Sequence, residues 1–286
     1  MTKKTKRVLF YAAVAVFLFL SYVVVLYAQG YKYSFDDFRF YRTGSMYVKA
    51  NSGAKVYLDD KLIGATSFLG NSKNITGLLP GTYSIRLTKD DLYSSWEKKV
   101  EVKEGLVNEF SKILLLPASG EEKELLEAEL ETMLYPLPIL SPTPSGQQNR
   151  GSSISPSPTK VGGKIGTTPS PSATPNVEPY YLKNSILYKN NGPENDPTQL
   201  VVNVKGFSLS QDNNKLAYWI GRELWVVWLE KSNYQPIKEA GEKERVIRLS
   251  RPIVKAAWYK DEDWLVVDDG KNYKVIEIDT RGGVNV

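Results

Sequence analysis

Hydrophobic positions follow three regimes along this chain. The first is an unbroken apolar run, VLFYAAVAVFLFLSYVVVLYAQ from Val8 to Gln29, with no charge between Arg7 and Lys32. As a helix rising about 1.5 Å per residue, it is long enough to cross a hydrocarbon core of roughly 30 Å. The second regime alternates, as strands do, from Tyr31 to Pro117, and ends in GEEKELLEAELETML. There Leu125, Leu126, Leu130 and Leu134 recur at helical spacing, which predicts a short acidic helix. From Ser141 to Pro179 the periodicity stops. Of these 39 residues, 26 are Ser, Thr, Pro or Gly, a composition that buries too little apolar surface to offset chain entropy. An extended, disordered tether is expected. Strand-like alternation resumes at Tyr180 with five of the six tryptophans: Trp219, Trp225, Trp228, Trp258 and Trp264.

An internal repeat lies in this last stretch. Leu209–Leu229 superposes on Trp258–Ile278 at an offset of 49 without a gap. Leu216 falls on Leu265, Gly221 on Gly270, Arg222 on Lys271, Val226 on Val275 and Leu229 on Ile278. Each copy predicts a strand, a polar turn, a strand, a Gly turn and a third strand.

Composition narrows the chemistry. The chain has neither cysteine nor histidine, which removes disulfides, thiolate nucleophiles, the usual neutral-pH base and the commonest metal ligand. Its net charge of +5 resides at the N-terminus: without Lys3, Lys4, Lys6 and Arg7, 33 basic residues face 32 acidic ones, a net of +1. The basic balance is therefore no sign of a nucleic-acid surface. Those four residues instead set topology, holding the N-terminus in the cytoplasm and placing the chain beyond Gln29 outside. Tyr11 and Tyr27 stand where interfacial aromatics are favoured. A cleaved signal peptide ending at Ala28 is the alternative, although its apolar core would ordinarily run to only about 7–15 residues.

Two family resemblances rest on particular residues. Gly53-Ala54, then KVYLDDKLIGATS with Asp59-Asp60 at a turn, Gly64 and Thr66, and the hairpin LLPGTYSIRL resemble the PEGA domain, a small surface-associated β-module. The resemblance runs from about Gly44 to Pro117. It departs from the family pattern at Asn51-Ser52, at Ser67 and in the turn of KDDLYSSWEKKVEV. FSLSQDNNKLAYW is similar to the signature of WD40-like or TolB-type propeller repeats. Tyr180 to Val286 holds about two blades, which would leave sheet edges open. Together these imply a mainly β chain: a cytoplasmic tail (1–7), a transmembrane helix (8–29), a PEGA-like β-sandwich (30–118), an acidic helix (119–135), a disordered Pro/Ser/Thr-rich linker (136–179) and a partial propeller-like domain (180–286).

Acidic pairs are the only catalytic material: Asp36-Asp37, Asp59-Asp60, Asp90-Asp91, Asp261-Glu262-Asp263 and Asp268-Asp269. Neighbours on a strand point to opposite faces, and each pair borders turn residues, so solvated turns are expected. A calcium site at Asp261–Asp263 lacks the spaced acidic loop. Arg281-Gly282-Gly283 reads as a turn after the final strand, and Asn74–Thr76 as the start of a strand despite its match to a glycosylation sequon. Aromatic residues are the stronger lead: Tyr93, Trp96, Trp219, Trp225 and Trp228 are candidates for an interaction surface, able to stack on sugars or anchor a protein.

The expectation is a non-catalytic envelope protein, single-pass, that binds cell-wall polymer or another surface protein, without cofactor, metal or nucleic acid. An assembly or sensor subunit, with its open blades completed by a partner or a second copy, is one alternative. A carboxylate-dependent glycosidase is the other.

Overall fold

The computed structural model describes residues 2–35, 37–136, 178–260 and 262–286. The apolar run forms helix α1 (Lys3–Ala28), capped by the Thr2 hydroxyl, which accepts from Thr5 N. None of its residues is buried, as for a helix whose apolar surface has no protein to cover it. Length and composition fit a membrane anchor or a signal sequence. A two-stranded hairpin comes next: β1 (Tyr31–Ser34) and β2 (Arg39–Arg42).

Strands β3 (Gly44–Ala50), β4 (Lys55–Leu58), β5 (Lys61–Ala65), β6 (Ser72–Leu78), β7 (Gly81–Thr88), β8 (Trp96–Val102) and β9 (Val107–Ile113) build a sandwich. Its sheets run in the orders β6-β3-β9 and β5-β4-β7-β8, and β3 and β9 are parallel. Alternate residues turn inward, so Met46 and Val48, Ile85 and Leu87, and Trp96, Val100 and Val102 fill the space between the sheets. The β4–β5 turn is Asp59-Asp60, both at positive φ. Two such residues match the twist of the flanking strands, and Asp tolerates the left-handed region better than most.

Helix α2 (Glu121–Leu134) buries Leu130 and Leu134 and packs Leu126 against the same core. Leu125 faces solvent, the one leucine of the sequence pattern left outside.

The chain divides into two compact units. Residues Met1–Tyr135 and Asn203–Val286 belong to one. The other, Pro136–Val202, contains the antiparallel sheet β10 (Tyr180–Lys183), β11 (Ile186–Lys189) and β12 (Thr198–Val202). The division expected at Tyr180 falls instead at Asn203 in the contacts of the chain. The expected tether, residues 141–179, lies outside the described residues except for Glu178 and Pro179.

The C-terminal strands reproduce the 49-residue repeat. β13 (Gly206–Leu209), β14 (Lys215–Ile220), β15 (Glu223–Trp228) and β16 (Lys243–Arg248) form one antiparallel meander. β17 (Lys255–Tyr259), β18 (Trp264–Asp268) and β19 (Tyr273–Glu277) form the next. Shifted by 49, β13, β14 and β15 fall on β17, β18 and β19. Gly221 and Gly270 both take positive φ at the equivalent turn. Among the described residues the second copy has no fourth strand.

Strand β18 serves two cores. Trp264 and Val266 face the sandwich core, while Leu265 and Val267 join the core shared with the first meander, where Ala217, Trp219, Leu224 and Val226 lie. Its continuous run of apolar residues is thus explained by burial on both faces.

Candidate functional site

The opening of the sandwich shows why its motif residues are spaced as they are. Thr66 Oγ1 accepts from Ala54 N at 2.9 Å, and Thr66 N donates to Ala54 O at 2.9 Å. This reciprocal clamp fastens the start of β4 to the end of β5. In the LLPGTY hairpin the Tyr83 hydroxyl donates to Leu79 O at 2.9 Å, closing the turn over Pro80-Gly81. Beyond the clamp the chain turns outward, and Phe68 and Leu69 are each 97% exposed. A Phe-Leu pair that gains no burial within its own fold is the most exposed apolar feature of the sandwich.

The aromatic residues singled out by sequence need correction. Trp96 is 1% exposed. It sits on β8, stacks edge-on against Phe110 and donates Nε1 to the Glu277 carboxylate at 3.3 Å. Trp219 and Trp228 are buried between the meanders. Small two-sided sheets need large side chains to fill their interior, and these tryptophans supply them. Tyr93 is half-buried beneath the Lys89 ammonium, and its hydroxyl bonds to Glu122 of α2. Trp225 likewise keeps a partly open face, stacked on Tyr218 with Nε1 donating to Glu223. Buried rings offer a partner no contact area, so three of the five, Trp96, Trp219 and Trp228, leave the candidate surface.

The acidic pairs occupy turns. Asp59 Oδ1 accepts from Ser84 N at 2.8 Å, and Asp60 pairs with Arg86 at 3.1 Å. Asp90 Oδ1 accepts from Leu92 N. Asp268 Oδ1 accepts from Gly270 N, and Asp269 Oδ1 from Lys271 N and Asn272 N. Asp36 and Asp261 lie outside the described residues.

Sequence reasoning missed the polar seam between the sandwich and the second meander. The Lys98 ammonium, wholly enclosed, pairs with Glu277 at 3.0 Å and donates to the carbonyls of Asp279 and Gly283. Burial pushes the Glu277 carboxyl up, against the opposing pull of Lys98 and Asn285. Lys112 reaches Asp263 at 3.0 Å, and Tyr234 donates to the same carboxylate at 2.6 Å. Trp264 Nε1 donates to Lys112 O. Arg281 binds Asp279 and Glu109 O and covers the Phe110 ring. A cavity of about 30 Å³ lies among Phe110, Lys112, Tyr234 and Asp263, space for a water or two and not for a sugar. One signal was available: in WEKKVEV, Lys98 stands in phase with Trp96, Val100 and Val102, and all four point inward.

A second contact crosses the repeat. Asp212, in the polar turn of the first copy, meets Glu262 in that of the second. Burial would raise the Asp212 carboxyl, but hydrogen bonds from Glu262, Ser210 and Asn214 outweigh it and hold the group at about 2. Glu262 is raised in turn by burial and by its bond to Asp212. Asp212 N donates to the Glu262 carboxylate at 3.0 Å.

Among the described residues no group of three or more acidic side chains has the arrangement of a metal site. The structure thus defines a mainly β protein in which one membrane-length helix is followed by a two-stranded hairpin and a two-sheet sandwich, to which a repeated meander is fused. Residues 43–114 match the family model of the PEGA domain. No curated protein and no solved structure matches the chain.

Proposed function

We propose that this chain is a non-catalytic, membrane-anchored envelope protein. Its PEGA domain and the fused meander face away from the cytoplasm and bind cell-wall polymer. The observation that carries this reading is a PEGA domain that follows a membrane-length helix with only the β1–β2 hairpin between them. Four basic residues in the first turns of α1, ahead of the apolar run, supply the orientation. The contact surface is the Phe68–Leu69 tip: an exposed ring stacks on sugar faces, and this one costs the fold nothing to offer.

Other features support the absence of catalysis. The chain has no histidine or cysteine. Among the described residues its paired acids Asp59, Asp90, Asp268 and Asp269 accept from backbone N–H groups of turns and strand ends. The meanders are read as propeller-like blades, on their shared strand order and matching Gly turns. Strand β16 presents Lys243, Glu244, Arg245 and Arg248 along its outer edge, a charged edge of the kind that discourages pairing with another chain.

The test is co-sedimentation of residues 30–286 with purified cell-wall sacculi. Helix α1 contributes no buried residue, so its removal leaves both cores whole. A chain ending at Pro117 would instead expose Trp96, Lys98 and Phe110. Pelleting is expected, and Phe68→Ala/Leu69→Ala is expected to abolish it with the melting temperature unchanged. Failure of the intact chain to pellet overturns wall binding. Equal pelleting of the double variant overturns the tip assignment alone.

A further inference from the structure

We infer that the β1–β2 hairpin is a second membrane contact, lying in the headgroup–acyl boundary on the side where α1 emerges. The inference rests on the reading of α1 as a retained anchor.

The hairpin has two faces, set by its register. Tyr31 pairs with Arg42 and Tyr33 with Phe40, which puts these side chains on one face, while Lys32, Ser34, Arg39 and Tyr41 share the other. Rings on the first face continue the helix. Tyr27, in the last turn of α1, meets Phe40 at 6.3 Å. Phe40 meets Tyr33 at 5.1 Å, and Tyr33 meets Phe35 at 5.1 Å. This is an unbroken aromatic line from the end of the span to the hairpin tip. The other face turns to the sandwich: Ser34 is buried, and the Lys32 ammonium lies over Gly77 at the near end of β6.

The tip is covered by nothing of its own. Phe35 is 78% and Phe38 75% exposed, an unfavourable arrangement in water for two large rings so close in sequence. The base is fixed, with Thr43 N and Oγ1 both donating to Gly30 O at 2.9 and 2.8 Å. The hairpin therefore cannot swing far from the helix end. The β8–β9 turn lies at the same end of the sandwich. A Cβ at Gly105 would lie 3.2 Å from the Arg42 side chain, Leu106 is exposed, and Lys103 pairs with Glu101. Aromatic rings with Lys and Arg at the mouth of a span are the composition of a membrane interface. Rings in this zone sit roughly 5–10 Å into the boundary. The opposite end of β6, some 20 Å away along seven residues of strand, carries the Phe68–Leu69 tip, so the two exposed apolar features face in different directions.

The chain has no cysteine, so single replacements can be labelled without background. The full chain is reconstituted in vesicles of phosphatidylcholine and phosphatidylglycerol, with a fluorophore at Phe35→Cys, Phe38→Cys, Leu18→Cys or Phe68→Cys. A nitroxide quencher is carried either high or low on the lipid acyl chain. The expected result is strong quenching of positions 35 and 38 by the high nitroxide, of position 18 by the low one, and of position 68 by neither. If position 18 is quenched and positions 35 and 38 behave like 68, the hairpin contact is overturned and the anchor stands. If position 18 is unquenched, the anchor reading fails and takes this inference with it.

Discussion

Lys98 ties the sandwich to the segment that follows β19. It is fully enclosed, yet it holds a carboxylate and two carbonyls from a segment some 180 residues away. Removing one partner of a buried pair leaves an uncompensated charge, at a cost of about 3–5 kcal/mol. Glu277→Gln is expected to destabilise by about that much, and Lys98→Met similarly. The double variant should cost less than their sum by roughly 0.5–3 kcal/mol, as expected for partners in contact. Urea unfolding of the four chains measures the difference, and strict additivity would show that the pair is not coupled. Glu262 makes a subtler case. A carboxyl raised in the fold contributes stability below its ordinary value, and loses that contribution as pH rises through the raised one. Asp212, lowered to about 2, contributes above its ordinary value and loses that contribution on acidification. The Glu262 contribution therefore fades as pH rises, and the Asp212 contribution fades on acidification. Glu262→Gln keeps a donor at every pH, so it should raise stability by roughly 0.5–1.5 kcal/mol at pH 7 and change little near pH 4.5. Thermal melts at the two pH values decide it. Neither residue was legible as a contact in the sequence, because the partners come from opposite ends of the chain or from different copies of the repeat. What the sequence did carry was phase: Lys98 occupies an inward position of β8, a placement that a charged residue adopts only when something pairs with it.

At the scale of elements, the apolar helix, the sandwich hairpins and the repeat were all readable, because each leaves a local signature of length, turn chemistry or period. The segment after β19 left less. Its Arg-Gly-Gly reads correctly as a turn, with Gly283 N reaching Thr280 O, but the turn also splints two sheet edges. Lys99 N donates to Gly282 O on the β8 side, and Glu277 N to Asn285 O on the β19 side. Gly282 takes φ +66°, and a Cβ there would lie 2.2 Å from Lys99 O. Gly282→Ala should thus cost at least the roughly 1–3 kcal/mol of a left-handed backbone. It should also speed hydrogen exchange at the Lys99 amide, and unchanged exchange would show that the splint is dispensable. The tryptophans illustrate the converse error: aromatic content was legible, but whether a ring faces out or in depends on the neighbouring sheet, which no local window contains.

For the whole molecule, the consequential arrangement is that 203–286 packs with 1–135, while the stretch between them belongs in large part to another unit. Protease added to intact spheroplasts is expected to cut within 141–179, where composition predicts an open tether. The two pieces should separate on a denaturing gel yet elute together in mild detergent, held by the seam. Complete protection would overturn the outward orientation, and separation under native conditions would overturn the seam.

The distance between Lys98 and its partners also has a meaning in time. Asp279 lies 181 residues downstream, and at ribosomal rates of about 5–20 residues per second it arrives roughly 9–36 s later. Through that interval the sandwich stands one wall short, with Trp96 and Phe110 open and Lys98 still hydrated. The nascent chain therefore emerges with an adhesive flank that only its own later residues can close. A holding chaperone at the site of export would find its binding surface there, and would be displaced when the second meander docks.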